Sequence, residues 1–154
     1  MEIERKFLVT AVPSDELGES RAVEIVQGYL AAGEDGSEVR LRRVAGELWL
    51  TAKRGAGMVR GEHEVALSVE QFNALWPATD GRRLAKTRHA LPLGELQIEL
   101  DVYSGSLSGL VVAEVEFPTV ELARAFAPPP WFGREVTDDQ RFKNRRLAED
   151  GLPD

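Results

Sequence analysis

The chain has 154 residues, enough for one domain with a real core, and no cysteine, which excludes disulfides, thiolate nucleophiles and cysteine-based zinc sites. It is 43% hydrophobic and 29% charged, with a formal net charge of −7, which fits a globular protein of a reducing cytoplasm and argues against general affinity for nucleic acid or an anionic membrane. The only histidines are His63 and His89, too few for a histidine-rich metal site, so any metal would be held by oxygen as Mg²⁺, Mn²⁺ or Ca²⁺ are.

Turn signals recur along the chain: GEDGS, AGE, RGAGMVRG, LPLGE, SGSLSG and APPPWFG. Between them, short alternating segments read as strands near 2–9, 22–31, 37–44, 47–54, 59–68, 82–91, 95–104 and 109–117. SVEQFNALW reads as a helix capped by Ser68, with Gln71 completing a capping box. TVELARAFA, after Pro118, reads the same way. TDDQRFKNRRLAED reads as a helix capped by Thr137, with an acidic first turn and a basic later part. The pattern predicts a mainly β (α+β) protein: eight antiparallel strands that curl or close into a barrel, flanking helices, and a single domain over 1–154. No apolar run reaches transmembrane length, and the charged start is not a secretory signal.

A half-buried strand ordinarily alternates apolar with mixed polar residues. Here the polar face is sorted by sign. Acids pair at spacing two as Glu2 and Glu4, Glu62 and Glu64, Glu99 and Asp101, and Glu114 and Glu116. Bases pair as Arg40 and Arg42, and as Lys86 and Arg88. Lys6 continues the face of Glu2 and Glu4, and Lys53 shares the face of Thr51 and Trp49. Any one such pair reads as a solvated outer face. As a set they are costly: like charges about 7 Å apart repel by about 0.6 kcal/mol in water and about 2.4 kcal/mol at an effective dielectric of about 20. Repeated same-sign pairing points to shared partners of opposite charge. Folded into one barrel lumen, these eight acids and six bases sum to a small negative charge, which cations would cancel. The expected ligand is a compact polyanion accompanied by metal, and triphosphate fits. The opposite faces, rich in Val, Leu and Ile, would then point outward and need cover from the helices or from a second subunit, which leaves room for a homodimer.

EIERK at the start has the ExExK form of the CYTH superfamily, the triphosphate tunnel metalloenzymes, and RLR, TAK, EHE, KTR, ELD and EVE follow in that superfamily's strand order. WFGREVT and FKN resemble its C-terminal region. The chain is most similar to the short bacterial members that act as inorganic tripolyphosphatases. Other members hydrolyse thiamine triphosphate, cyclise ATP as class IV adenylate cyclases, or remove RNA 5′ γ-phosphates. The resemblance implies an eight-stranded closed tunnel, open at both ends, and hydrolysis of tripolyphosphate to pyrophosphate and phosphate with Mg²⁺ or Mn²⁺. It implies metal-side acids at Glu2, Glu4, Asp101, Glu114 and Glu116. It implies triphosphate-side bases at Lys6, Arg40, Arg42, Lys53, Lys86 and Arg88, with Lys143 reaching a tunnel mouth. Glu62, Glu64 and Glu99 would hold a second metal or orient the bases. Lys6 and Tyr29 would together help activate water, although a core tyrosine is the plain alternative.

Three rival readings follow from the same residues. An organic triphosphate needs a surface for its ring. Trp49 could supply one if it faces the lumen, whereas Trp76 and Trp131 read as packing. A polyphosphate- or nucleotide-binding module without catalysis would not need so many carboxylates. A structural β-domain would carry Glu4, Arg40 and Arg42 on its convex outer wall.

Overall fold

The computed structural model describes residues 2–55 and 58–154. Eight strands form the frame: β1 (Glu2–Leu8), β2 (Arg21–Ala32), β3 (Glu38–Val44), β4 (Glu47–Arg54), β5 (Val59–Ala66), β6 (Arg83–Leu93), β7 (Leu96–Tyr103) and β8 (Val111–Glu116). They close into one antiparallel barrel in the order β1-β5-β4-β3-β2-β6-β7-β8. Four short helices flank it: α1 (Ser14–Glu19), α2 (Val69–Leu75), α3 (Val120–Ala125) and α4 (Asn144–Asp150). The expected barrel is therefore present. The turn expected in RGAGMVRG falls partly on residues 56 and 57, outside the described residues.

The seam between β1 and β5 is short. Direct pairing covers Glu2 with Arg60 and Ile3 with Val59. Further along β1, the free edge is taken by the C-terminal segment: Gly133 N–H donates to Leu8 O, Leu8 N–H to Arg134 O, and Val136 N–H to Lys6 O. Arg5 on the outer wall fastens this segment through Glu135 at 2.7 Å and through the carbonyls of Ala123 and Phe126. Thr137 accepts from the Lys6 N–H and donates to Glu135, so its hydroxyl ties the segment to β1. That is why the expected helix from Thr137 does not form. A 3₁₀ turn at Gln140–Phe142, with Asp139 accepting at its start, precedes α4. In α4 the bases come early and the acids late, against the helix dipole, and the i,i+4 pairs Arg145–Glu149 and Arg146–Asp150 compensate. The six-residue α1, with Pro13 at its cap and Gly18 inside, has no helical apolar period and was not expected.

One apolar cluster covers the outer face, packing Val9, Leu91, Leu100, Val115 and Phe117 with Ala123 of α3. A second joins Leu84 and Val112, which share strand faces with Lys86 and Glu114, to Leu110, Val136, Phe142 and Leu147 at the α4 end of the barrel. The outer cover comes from the chain itself. Ser68 and Gln71 make the expected capping box on α2. Among the described residues no helix is long and apolar enough to cross a membrane.

Gly28 of β2 lies directly under Thr79. A Cβ at position 28 would sit 2.6 Å from the Thr79 Cβ and hydroxyl. Thr79 is held there by its bond to Trp76 O and by Arg83 Nε. Gly28→Ala should therefore cost about 1–3 kcal/mol of unfolding free energy, an overpacking penalty readable by urea denaturation. An unchanged midpoint would refute this contact.

Candidate active site

Strand order sorts the charges more sharply than chain order does. The contiguous strands β7, β8, β1 and β5 carry Glu99, Asp101, Glu114, Glu116, Glu2, Glu4, Glu62 and Glu64. The strands β4, β3 and β6 carry Lys53, Arg40, Arg42, Lys86 and Arg88, with β2 between β3 and β6. The barrel interior thus has a mainly acidic wall, which also carries Lys6 and Arg60, and a mainly basic wall, which also carries Glu38. They enclose a cavity of about 330 Å³ lined by Glu2, Glu4, Lys6, Arg40, Arg42, Lys53, Glu62, Glu64, Arg88, Glu99, Glu114, Glu116 and Lys143. Glu4, Arg40 and Arg42 face this cavity, so the outer-wall reading of those residues fails.

Three lining residues were not singled out in the sequence: Glu38, Arg60 and Asn144. Glu38 and Arg60 follow the same spacing-two rule as their neighbours, Glu38 with Arg40 and Arg60 with Glu62. Arg60 Nη2 lies 3.5 Å from Glu38, and Arg40 Nη1 3.9 Å from the same carboxylate. Asn144, at the start of α4, accepts from the Tyr103 hydroxyl. Lys6 Nζ donates to Phe142 O at 3.3 Å. Residues 142–144 therefore touch β1 and β7, and with Phe142 and Leu147 packed on Leu84 and Val112 the chain's own C-terminal segment lies across one end of a tunnel expected to be open at both. Lys143 lines this end, and its buried Nζ has no hydrogen-bond partner. Burial and the nearby Arg60 lower its pKa. Toward the other end, Arg42 and Arg88 border a second cavity with apolar sides at Val23, Ile25, Val44 and Ala90.

Most bases are held by carboxylates. Lys6 lies 3.5 Å from Glu114, and Lys53 3.4 Å from Glu2. Asp101, expected on the metal side, has both oxygens committed to bases. It takes Lys86 Nζ at 2.7 Å, Arg88 Nε at 2.7 Å and Arg88 Nη2 at 2.9 Å, and it is fully buried. Burial raises a carboxyl pKa, yet Lys86 and Arg88 hold that of Asp101 below the usual range. Glu99 is bound to Arg88.

Among the described residues Glu4 and Glu116 have no base within ion-pair distance, whereas Glu2 and Glu114 do. In the register, Glu4 of β1 stands directly opposite Glu116 of β8, and Glu99 of β7 directly opposite Glu114 of β8. Like charges so placed destabilise a sheet. Burial and Glu114 push the Glu4 carboxyl up to about 7. Glu2 and Glu116 are raised as well, first by burial. Glu114 goes the other way: despite burial, Lys6 and Arg88 hold it well below the usual range. The donor set is all carboxylate oxygen, which suits a hard divalent cation. Among the described residues no three such side chains converge as a ready ligand cage.

Tyr29 is fully buried in the wall. Its hydroxyl accepts from Gln27 Nε2 at 2.7 Å, and burial together with Glu38 pushes its pKa up to about 12. Trp76 stacks on Phe72, and Trp131 packs edge-on against Phe132, both as packing residues. Trp49 donates to Glu47, and it is absent from the lining of the central cavity.

A closed barrel with a mainly acidic and a mainly basic wall around one cavity has the architecture and the charge pattern of a polyanion tunnel. The CYTH domain profile matches residues 1–137, and the chain belongs to the CYTH family. It is 52% identical over 149 residues to the inorganic triphosphatase of Nitrosomonas europaea, covering 96% of each chain. It is 33% identical over 150 residues to the inorganic triphosphatase of Acetivibrio thermocellus, covering 96% of this chain and 93% of that one. The crystal structure of the inorganic triphosphatase NE1496 superposes with a TM-score of 0.73 at 47% identity, covering 100% of this chain and 97% of that one. The PH1012 protein of Pyrococcus horikoshii, at 18% identity and a TM-score of 0.60, covers 80% of this chain and 84% of that one, and shares the fold.

Proposed function

We propose that this protein hydrolyses inorganic tripolyphosphate to pyrophosphate and phosphate inside the barrel, with Mg²⁺ or Mn²⁺ on the acidic wall. The observation that carries this reading is the register that sets Glu4 against Glu116 in a cavity whose other wall is arginine and lysine. The two inorganic triphosphatases to which the chain is similar over nearly its whole length support it.

Glu2, Glu4, Glu114 and Glu116 would hold the cation. When bound, it would neutralise phosphate charge and polarise a phosphate oxygen or water. Arg40, Arg42, Lys53, Arg60, Arg88 and Lys143 would grip phosphate oxygens, Arg42 as a binding contact to the phosphate chain and the others also stabilising charge on the transferred and leaving groups. Lys86 acts from within the wall, because its ammonium is fully buried against Asp101. Asp101 then serves to fix Lys86 and Arg88, while Glu62, Glu64 and Glu99 orient bases or assist a second cation. Lys6 stands between Glu114 and the C-terminal segment on the cavity lining, where it would reach a bound phosphate. Tyr29 keeps its proton at neutral pH, which favours donation over base chemistry. Phosphoryl transfer of this kind needs positioning and charge neutralisation more than covalent chemistry.

The substrate assignment is tested with tripolyphosphate, thiamine triphosphate, ATP and pyrophosphate, each with Mg²⁺, Mn²⁺ or EDTA. Tripolyphosphate should release phosphate fastest, and EDTA should abolish release. Cyclic AMP as the main product from ATP would move the protein to a different branch of the family.

A further inference from the structure

Gln27 is fully buried on β2, inside the barrel, and no motif points to it. Its Oε1 accepts two hydrogen bonds from one guanidinium, Arg42 Nε at 3.1 Å and Arg42 Nη2 at 3.0 Å. Its Nε2 donates to the Tyr29 hydroxyl at 2.7 Å. The amide can be oriented only one way. Arginine has no acceptor, so the oxygen must face Arg42, and the NH₂ group is left for Tyr29.

The contrast with the other bases is chemical. Lys6, Arg40, Lys53, Arg60, Lys86 and Arg88 each have a carboxylate within ion-pair distance. Among the described residues Arg42 has none; its side chain is fixed by a neutral group instead. A carboxylate at position 27 would have the reach and geometry to make the same two bonds. It would also relieve a crowded site, since burial and then Arg40 and Arg88 lower the Arg42 pKa to about 10. An amide holds the guanidinium in place without spending its charge. Lys143, with no hydrogen-bond partner on its Nζ, is the comparable cation at the α4 end. The two cations left uncompensated thus lie toward opposite ends of the cavity.

We propose that Gln27 is a positioning residue that holds Arg42 in its substrate-binding geometry while leaving its positive charge for the phosphate chain. The inference rests on the triphosphate reading above. It makes a trade between stability and affinity: a glutamate here should help the fold and harm binding.

The test compares Gln27→Glu with Gln27→Met, which keeps the side-chain length and removes the bonds without adding charge. With Mg²⁺, Gln27→Glu should raise KM for tripolyphosphate roughly ten-fold or more with kcat changed by less than about three-fold, the signature of lost uniform binding. Its melting temperature should equal or exceed that of the wild type. Gln27→Met should raise KM less and melt lower. In an Arg42→Ala background, Gln27→Glu should add little to KM, because the charge it cancels is gone. A merely structural glutamine would lose stability and activity together in both variants. Equal KM values for the two variants, or a Gln27→Glu effect undiminished without Arg42, would overturn the proposal while wild-type hydrolysis of tripolyphosphate left the triphosphate reading standing. A wild type inert toward tripolyphosphate would overturn both.

Discussion

Glu4→Gln is expected to lower turnover with Mg²⁺ by about a hundred-fold or more, and at the same time to stabilise the metal-free protein at neutral and alkaline pH. Glu4 faces Glu116 across the β1–β8 ladder, and burial and Glu114 push its carboxyl up to about 7. The folded protein therefore holds a proton on Glu4 between the ordinary carboxylate pKa of 4.5 and about 7, whereas the unfolded chain has released it. Stability then falls as pH rises through that window, by up to about 3 kcal/mol for this group. Glutamine has no charge to desolvate and removes that part of the slope. Thermal melts in EDTA at about pH 5 and about pH 8 read the effect as a smaller difference between the two pH values in the variant. An unchanged slope, or full activity with Mg²⁺, would contradict the assigned role.

Asp101→Asn should cost about 3–5 kcal/mol of unfolding free energy, the larger of the two stability effects. The aspartate is the shared counter-charge of Lys86 and Arg88, with bonds of 2.7 to 2.9 Å, and the Lys86 side chain is completely buried. The amide keeps the shape but leaves two cations facing each other without an anion between them. Urea denaturation would show the loss as a lower midpoint at constant slope. A midpoint within experimental error of the wild type would mean that Asp101 is free to serve elsewhere, including on the metal side. Activity should fall as well, through the displaced Arg88 guanidinium.

The strands were legible because their faces are sorted by charge at spacing two. Parity puts Glu2, Glu4 and Lys6 on one face, and the sorted set of strands together with the CYTH resemblance puts that face in the lumen; the same parity carried through β3 and β5 reaches Glu38 and Arg60. What parity could not supply was adjacency. That Glu4 meets Glu116 depends on β1 and β8 being neighbours, a long-range fact, and that Asp101 lies between Lys86 and Arg88 depends on the register of the β6–β7 hairpin. The C-terminal region was misread for a related reason. Thr137 looks like a helix cap, but its hydroxyl is claimed by β1, more than a hundred residues earlier. Asp101 shows the limit of motif positions: ELD marks it as an acid inside the barrel, and only its partners reveal that its oxygens are taken.

Whether the opposed walls make a metal-dependent tripolyphosphate hydrolase is decided by phosphorus NMR of tripolyphosphate incubated with the protein and Mg²⁺. The triphosphate resonances should be replaced by equal molar amounts of pyrophosphate and phosphate, with no reaction in EDTA and restored reaction when Mg²⁺ is added in excess. Tripolyphosphate left intact in the presence of Mg²⁺ and Mn²⁺, or consumed at the same rate in EDTA, would contradict that activity.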